Sequence, residues 1–154
     1  MNRIICGSLL LVLAATSGCS VKVQTVLHDE DAAAAVVSNV LATAFYRHNP
    51  GSVYDAAAPQ FRSIGSRTAF AGMIQKLQLD YSPTNFVITD FSTWGPQEII
   101  GIYATSETSR GNMHYRCMLA GSKGKGYVVT EFNFAPTPPK KTGMNVPFKN
   151  PKRL

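Results

Sequence analysis

Asn112-Met113-His114-Tyr115-Arg116-Cys117-Met118-Leu119-Ala120 sets Met113, Tyr115, Cys117 and Leu119 on one side of an extended chain and His114 and Arg116 on the other. A period of two marks a strand that buries one face. Gly121, Gly124 and Gly126 then supply a turn, and Tyr127-Val128-Val129-Thr130-Glu131-Phe132-Asn133-Phe134 reads as the returning strand. There Val128, Thr130, Phe132 and Phe134 alternate against Tyr127, Val129, Glu131 and Asn133. Two earlier runs, 85–94 and 98–109, are rich in β-branched and aromatic residues and are punctuated by Gly95-Pro96 and Arg110-Gly111. Short links between such runs imply an antiparallel meander of four strands.

Upstream, the periodicity changes. Asp29, Glu30 and Asp31 favour the positive end of a helix, and Val36, Val37, Val40, Leu41, Ala44 and Phe45 then recur at helical spacing until Asn49-Pro50-Gly51. This predicts one helix of about 20 residues. Residues 52–58 allow a short second helix carrying Val53 and Tyr54, ended by Pro59. Ser66 caps a third, with Phe70, Met73, Ile74 and Leu77 on one stripe. Helices followed by strands define an α+β fold, its N-terminal helices packed on a four-stranded antiparallel sheet.

The chain begins differently. Arg3 precedes an apolar run over 4–15, after which Thr16, Ser17 and Gly18 lead to Cys19. The run is shorter than the roughly 20 residues a membrane-spanning helix needs, and it fits a signal peptide. Ser17-Gly18-Cys19 resembles the lipobox of bacterial lipoproteins, although Thr16 stands where that family usually has an aliphatic residue. The resemblance implies removal of 1–18, acylation of Cys19 and a lipid anchor in the membrane, with residues 19–28 as a tether. Ser20, where inner-membrane lipoproteins carry Asp, implies an outer-membrane lipoprotein facing the periplasm. The alternative is ordinary cleavage near residues 15–17 and a soluble periplasmic protein.

Charge is unevenly spread. Residues 19–135 hold nine Lys/Arg and nine Asp/Glu, while 136–154 hold Lys140, Lys141, Lys149, Lys152 and Arg153 without an acid. A domain of zero net charge excludes the basic, aromatic-lined face of a nucleic-acid binder. The remaining residues read as a basic, proline-rich tail over 136–154 that is disordered or extended and suited to contact with an acidic surface. Cys6 leaves with the signal peptide and Cys19 is taken by lipid, so Cys117 is left without a disulfide partner and reads as a small buried residue. His28, His48 and His114 form no metal-ligand motif, and no cofactor is implied. Gly121 to Gly126 contain Gly, Ser and Lys but lack the order of a phosphate-binding loop, and they join two strands.

Phe45-Tyr46, Tyr54-Asp55-Ala56-Ala57-Ala58-Pro59-Gln60-Phe61-Arg62, Ser66-Arg67-Thr68-Ala69-Phe70 and the closing strand from Gly126 to Phe132 together are similar to small secreted members of the nuclear transport factor 2-like superfamily. The likeness covers roughly residues 30–135 of the expected domain, 29–135. It implies a highly curved sheet wrapped around helices and a conical apolar pocket, lined by Phe70, Met73, Ile88, Ile102, Met118 and Phe132. Enzymes of that superfamily place a carboxylate or histidine with tyrosines in the cone, which here makes Asp90, Glu131, His114, Tyr103 and Tyr54 candidates. No pair has diagnostic spacing. The expected function is therefore a non-enzymatic, envelope-anchored interaction module, an accessory part of an envelope or secretion assembly with an envelope protein as partner. The alternative is a binder of a small apolar ligand, and the third reading is a pocket isomerase or hydratase.

Overall fold

The computed structural model describes residues 27–94, 96–140 and 144–154. The signal peptide expected over 1–18, the lipidation site Cys19, residues 20–26 of the tether and Lys141 lie outside the described residues. Helices α1 (Glu30–Leu41), α2 (Pro50–Ala56), α3 (Pro59–Arg62) and α4 (Arg67–Tyr81) precede strands β1 (Thr84–Thr93), β2 (Ile99–Thr108), β3 (Gly111–Ser122), β4 (Gly126–Ala135) and β5 (Met144–Arg153). The α+β expectation holds, and the first four strands fall where the alternation placed them.

Local chemistry explains the helix boundaries. Asp29 accepts a hydrogen bond from Ala32 N at 2.9 Å and Ser66 accepts one from Ala69 N at 3.1 Å, each satisfying an otherwise unpaired donor of the first turn. Asn49 does the same for Ser52 N at 3.3 Å, with Pro50 preset for the first position of α2. The long first helix expected from the sequence ends sooner. After Leu41 the chain widens into a π-helical turn, Ala42–Tyr46, that buries Ala44 and Phe45. Pro59 also does more than stop α2, because it opens the single turn of α3.

The sheet is five-stranded and antiparallel, in the order β4-β3-β2-β1-β5, where four strands were expected. Residues assigned to a basic tail supply the fifth. Pro147 and Pro151 remove ladder donors, which an edge strand tolerates and a central strand does not. Four consecutive residues of β5, 148–151, lie between the partners of Asp90 and Ile88, so this strand bulges strongly.

Strict alternation also fails within β4. Leu119 pairs with Val129 and Met118 with Glu131, leaving Thr130 as an extra residue whose Oγ1 donates to Met118 O at 3.1 Å. Val129 and Phe132 are therefore both buried, although they were expected on opposite faces. An equivalent slip at Thr89 brings Ile88 and Phe91 to the same side of β1, opposite Ala104 and Ile102. Bulges of this kind let a sheet bend.

Helices cover one face. Val37, Leu41, Phe45 and Ile74 meet Phe86, Ile88, Ile100, Ile102, Tyr115, Cys117 and Leu119 in one cluster, and most of these side chains are fully enclosed. Phe86 lies between Phe45 and Tyr115, with ring centroids 5.0 and 5.3 Å away. On the other face, Gly101 is required by a close approach. A Cβ there would lie 2.9 Å from Ser92 Oγ and 3.1 Å from the Trp94 ring.

The fifth strand also changes where the ends of the domain meet. Lys152 Nζ pairs with Asp31 Oδ1 at 2.8 Å, so β5 touches the first turn of α1. The segment expected to be a disordered or extended tail is thus paired along β1 and joined to α1.

Candidate functional site

The six residues assigned to a single cone separate into three groups. Ile88 and Ile102 have no exposed surface and sit in the filled interior between helices and sheet. Met118 lies on the face away from the helices, beside Trp94, Ile99 and Arg116. Phe70, Met73 and Phe132 do come together, and with Tyr54, Phe61 and Ile64 they line a groove of about 330 Å³. The expected cone is closed by aromatic packing, and the open apolar surface lies to one side, at the edge of the sheet.

A row of rings links interior to groove. Tyr115, Phe132, Phe70 and Phe61 follow one another at centroid distances of 6.2, 6.1 and 5.4 Å, the last two edge to face. Tyr54 completes the floor, and its hydroxyl, a candidate acid, lies 2.9 Å from Arg62 O and 2.8 Å from Gly65 O. Its one proton is shared between those carbonyls, so Tyr54 ties down the loop between α3 and α4. The rim is apolar and open: Ile64 is 78 % exposed and Met73 38 % exposed. Sequence reasoning named neither Ile64 nor Phe61 as site residues. The available signal was an isolated Ile between Ser63 and Gly65 that belongs to no periodic pattern.

The groove borders β4, an edge strand. Ala58 N donates to Val129 O at 2.9 Å, which covers the first part of that edge. Farther along, Glu131 and Asn133 reach the rim. Arg116 Nη2 and Asn133 Nδ2 both donate to Glu131 Oε1, so this carboxylate is committed to an ion pair.

The other acid–base candidates do not converge on the groove. Asp90 and His114 lie on the face away from the helices, opposite Tyr103 and Thr105 respectively. Tyr103 is buried, and its hydroxyl shares a 3.2 Å hydrogen bond with Ser92 Oγ. Tyr115 is enclosed on the helix side, where burial pushes its phenol up to about 12 while a 3.0 Å hydrogen bond to Ser106 opposes that shift. Burial also raises the Cys117 thiol well above its usual range, which keeps it protonated and unreactive. Among the described residues no group of His, Cys, Asp and Glu is arranged to hold a metal ion, and no helix is long and apolar enough to cross a membrane.

A second concavity of about 670 Å³ runs between α1, α2 and the start of β4. Its wall includes Arg47, whose Nη1 lies 3.4 Å from Asn39 Oδ1 and 3.5 Å from Thr43 Oγ1. The polar groups there are engaged with one another, and among the described residues the aromatic ring in its wall is Tyr127.

Fold and groove together define an α+β domain with helices on one face of a five-stranded antiparallel sheet and an aromatic groove at the β4 edge. No family model, curated protein or solved structure matches the chain.

Proposed function

We propose that the protein is a non-enzymatic interaction module of the bacterial envelope, held at the outer membrane by acylated Cys19, and that it receives a protein partner in the groove beside β4. The observation that carries this reading is the groove itself. A core-like set of rings reaches the surface there, next to an edge strand and under the exposed side chains of Ile64 and Met73. An extended segment of a partner that inserts an apolar side chain between Phe61, Phe70 and Phe132 would bury these groups and align with β4. Helices followed by a bulged, curving sheet support kinship with the nuclear transport factor 2-like superfamily. The filled interior and the commitment of Glu131 to Arg116 favour binding over pocket chemistry.

Site-specific photocrosslinking in intact envelopes tests the reading. A crosslinker at Ile64 is expected to give one discrete adduct that disappears in Met73→Asp, while a crosslinker at Leu79, 85 % exposed elsewhere on α4, gives none. Equal adducts from both positions, or none from Ile64, would overturn it. The volume of the groove also favours a second reading, a small apolar ligand, since ligand sites begin at about 300 Å³. Native mass spectrometry of detergent-free protein would then show added mass that Phe70→Ala removes.

A further inference from the structure

We propose that the cleft between α1, α2 and the start of β4 is a second binding site, which takes a small organic carboxylate with an apolar body and holds its charged group on Arg47. Helical spacing builds two of its walls. Asn39, Val40, Thr43 and Arg47 share one side of α1 and the π-helical turn, and Asn49, Ser52 and Val53 share one side of α2. The first residues of β4 close it below. At about 670 Å³ the cleft is about twice the size of the aromatic groove, and it falls within the range of small-molecule sites.

The floor is apolar and the rim is polar. Val40, Val53 and Val129 are buried at the bottom, with Val36 half-buried beside them. At the rim, internal hydrogen bonds consume acceptors. Arg47 Nη1 lies 3.4 Å from Asn39 Oδ1 and 3.5 Å from Thr43 Oγ1, and Asn49 Oδ1 accepts from Ser52 N at 3.3 Å. Both amide oxygens are thus occupied. Nδ2 of Asn39, Nδ2 of Asn49, and Nε and Nη2 of Arg47 have no acceptor among the described residues. A rim left with donors suits a group that only accepts, and an ionised carboxylate is such a group.

Charge points the same way. Arg47 is the one charged residue among the described residues that line the cleft, and it forms no ion pair among them. Asp55 of α2 is paired with Arg67 at 3.0 Å. Asp29 and Glu30 stand at the start of α1, where the helical rise puts them about 13–15 Å from Asn39. Exposed charges are screened over about 8–10 Å at physiological salt, so these acids leave Arg47 uncompensated. The contacts to Asn39 and Thr43 also fold Arg47 back along α1. Its guanidinium lies at the level of the turns that give Val40 to the floor, so one ligand can meet the charge and the apolar surface together. This site shares β4 with the aromatic groove but not its residues, since the groove begins at Glu131.

Titration of the full chain carrying Cys19→Ser with octanoate at neutral pH, followed by amide chemical-shift mapping, tests the site. Octanoate is expected to shift the amides of Asn39, Thr43, Arg47 and Val129 saturably, and the uncharged octanamide is expected to shift them far less at the same concentrations. Arg47→Gln should weaken octanoate about tenfold, the loss expected for one charge-assisted contact. Arg47 is exposed, so this variant keeps the buried core intact. Arg62→Gln makes the same change of charge on exposed α3 and should leave binding unchanged. Octanamide binding as well as octanoate, wild-type affinity in Arg47→Gln, or no saturable shift would each overturn the proposal. Shifts confined to Ile64, Phe70 and Met73 would overturn it as well, because they report the aromatic groove. The crosslinking test at Ile64 reads that groove separately, so either site can fail while the other stands.

Discussion

Ile102 and Ile64 belong to the same residue type and have opposite fates: the first has no exposed surface and the second is 78 % exposed, although one row of aromatic rings connects their surroundings. The contrast extends to Ile88 against Met73. Under α1 and the π-helical turn the sheet is covered from β1 to β4, and the rings of Phe45, Phe86 and Tyr115 fill the space. Beside α3 the cover is one helical turn followed by the Ser63–Gly65 loop, so the row ends at Phe61 and Phe70, buried just beneath the exposed side chains of Ile64 and Met73. Whether an apolar residue fills an interior or lines a groove is decided by what lies over its strand, and residue type carries no record of that.

The largest test of this contrast is Ile102→Ala. Truncation in the enclosed region should cost about 2–5 kcal/mol in a denaturant titration, and a cost no greater than that of Ile64→Ser would break the distinction. Next comes Tyr115→Phe, which strands Ser106 in the interior and should cost about 1–3 kcal/mol near neutral pH. This pair also gives a pH signature. The phenol ionises at its ordinary 10 in the unfolded chain and at about 12 in the fold, so the folded state holds its proton more tightly. Stability is therefore fully present below pH 10 and declines between 10 and 12 by about 1.4 kcal/mol per unit. Tyr115→Phe should remove that part of the slope, and an unchanged alkaline profile would show that the ring is not enclosed. The smallest effect belongs to the groove rim. Ile64→Ser and Met73→Ser should shift stability by no more than about 0.5 kcal/mol while weakening the crosslinked adduct.

What could be read in the sequence was local. Asp29 and Ser66 announced helix starts because a side-chain oxygen two or three residues ahead of free amides is a short-range signal. The first four strands were legible because alternation and Gly-containing turns are short-range too. The bulges at Thr89 and Thr130 were not, since one extra residue in one strand has meaning only against the partner that lacks it. β5 was hidden for the same reason, in stronger form. Its prolines and lysines suit a solvated tail as well as an edge, and its pairing partner, β1, lies far upstream. Of the groove, Phe70, Met73 and Phe132 were foreseen; Ile88, Ile102 and Met118 were grouped with them because periodicity reports a buried face without reporting which element lies over it. Phe61-Arg62 was visible as a motif, but that Phe61 closes a row of rings depends on the bulge that turns Phe132 inward.

The pairing of β5 with β1 also sets an order of events. β1 is synthesised well before β5, and until β5 has been made its outer edge, with Phe91 upon it, has no strand to pair with. Nascent chains of this protein thus spend an interval with an open, partly aromatic edge, the kind of surface on which chains associate with one another. The cations of β5 then arrive together with the strand that closes the hazard. A chain cut short before residue 144 would keep that edge open permanently, so β5, made after the other four strands, governs whether they stay soluble.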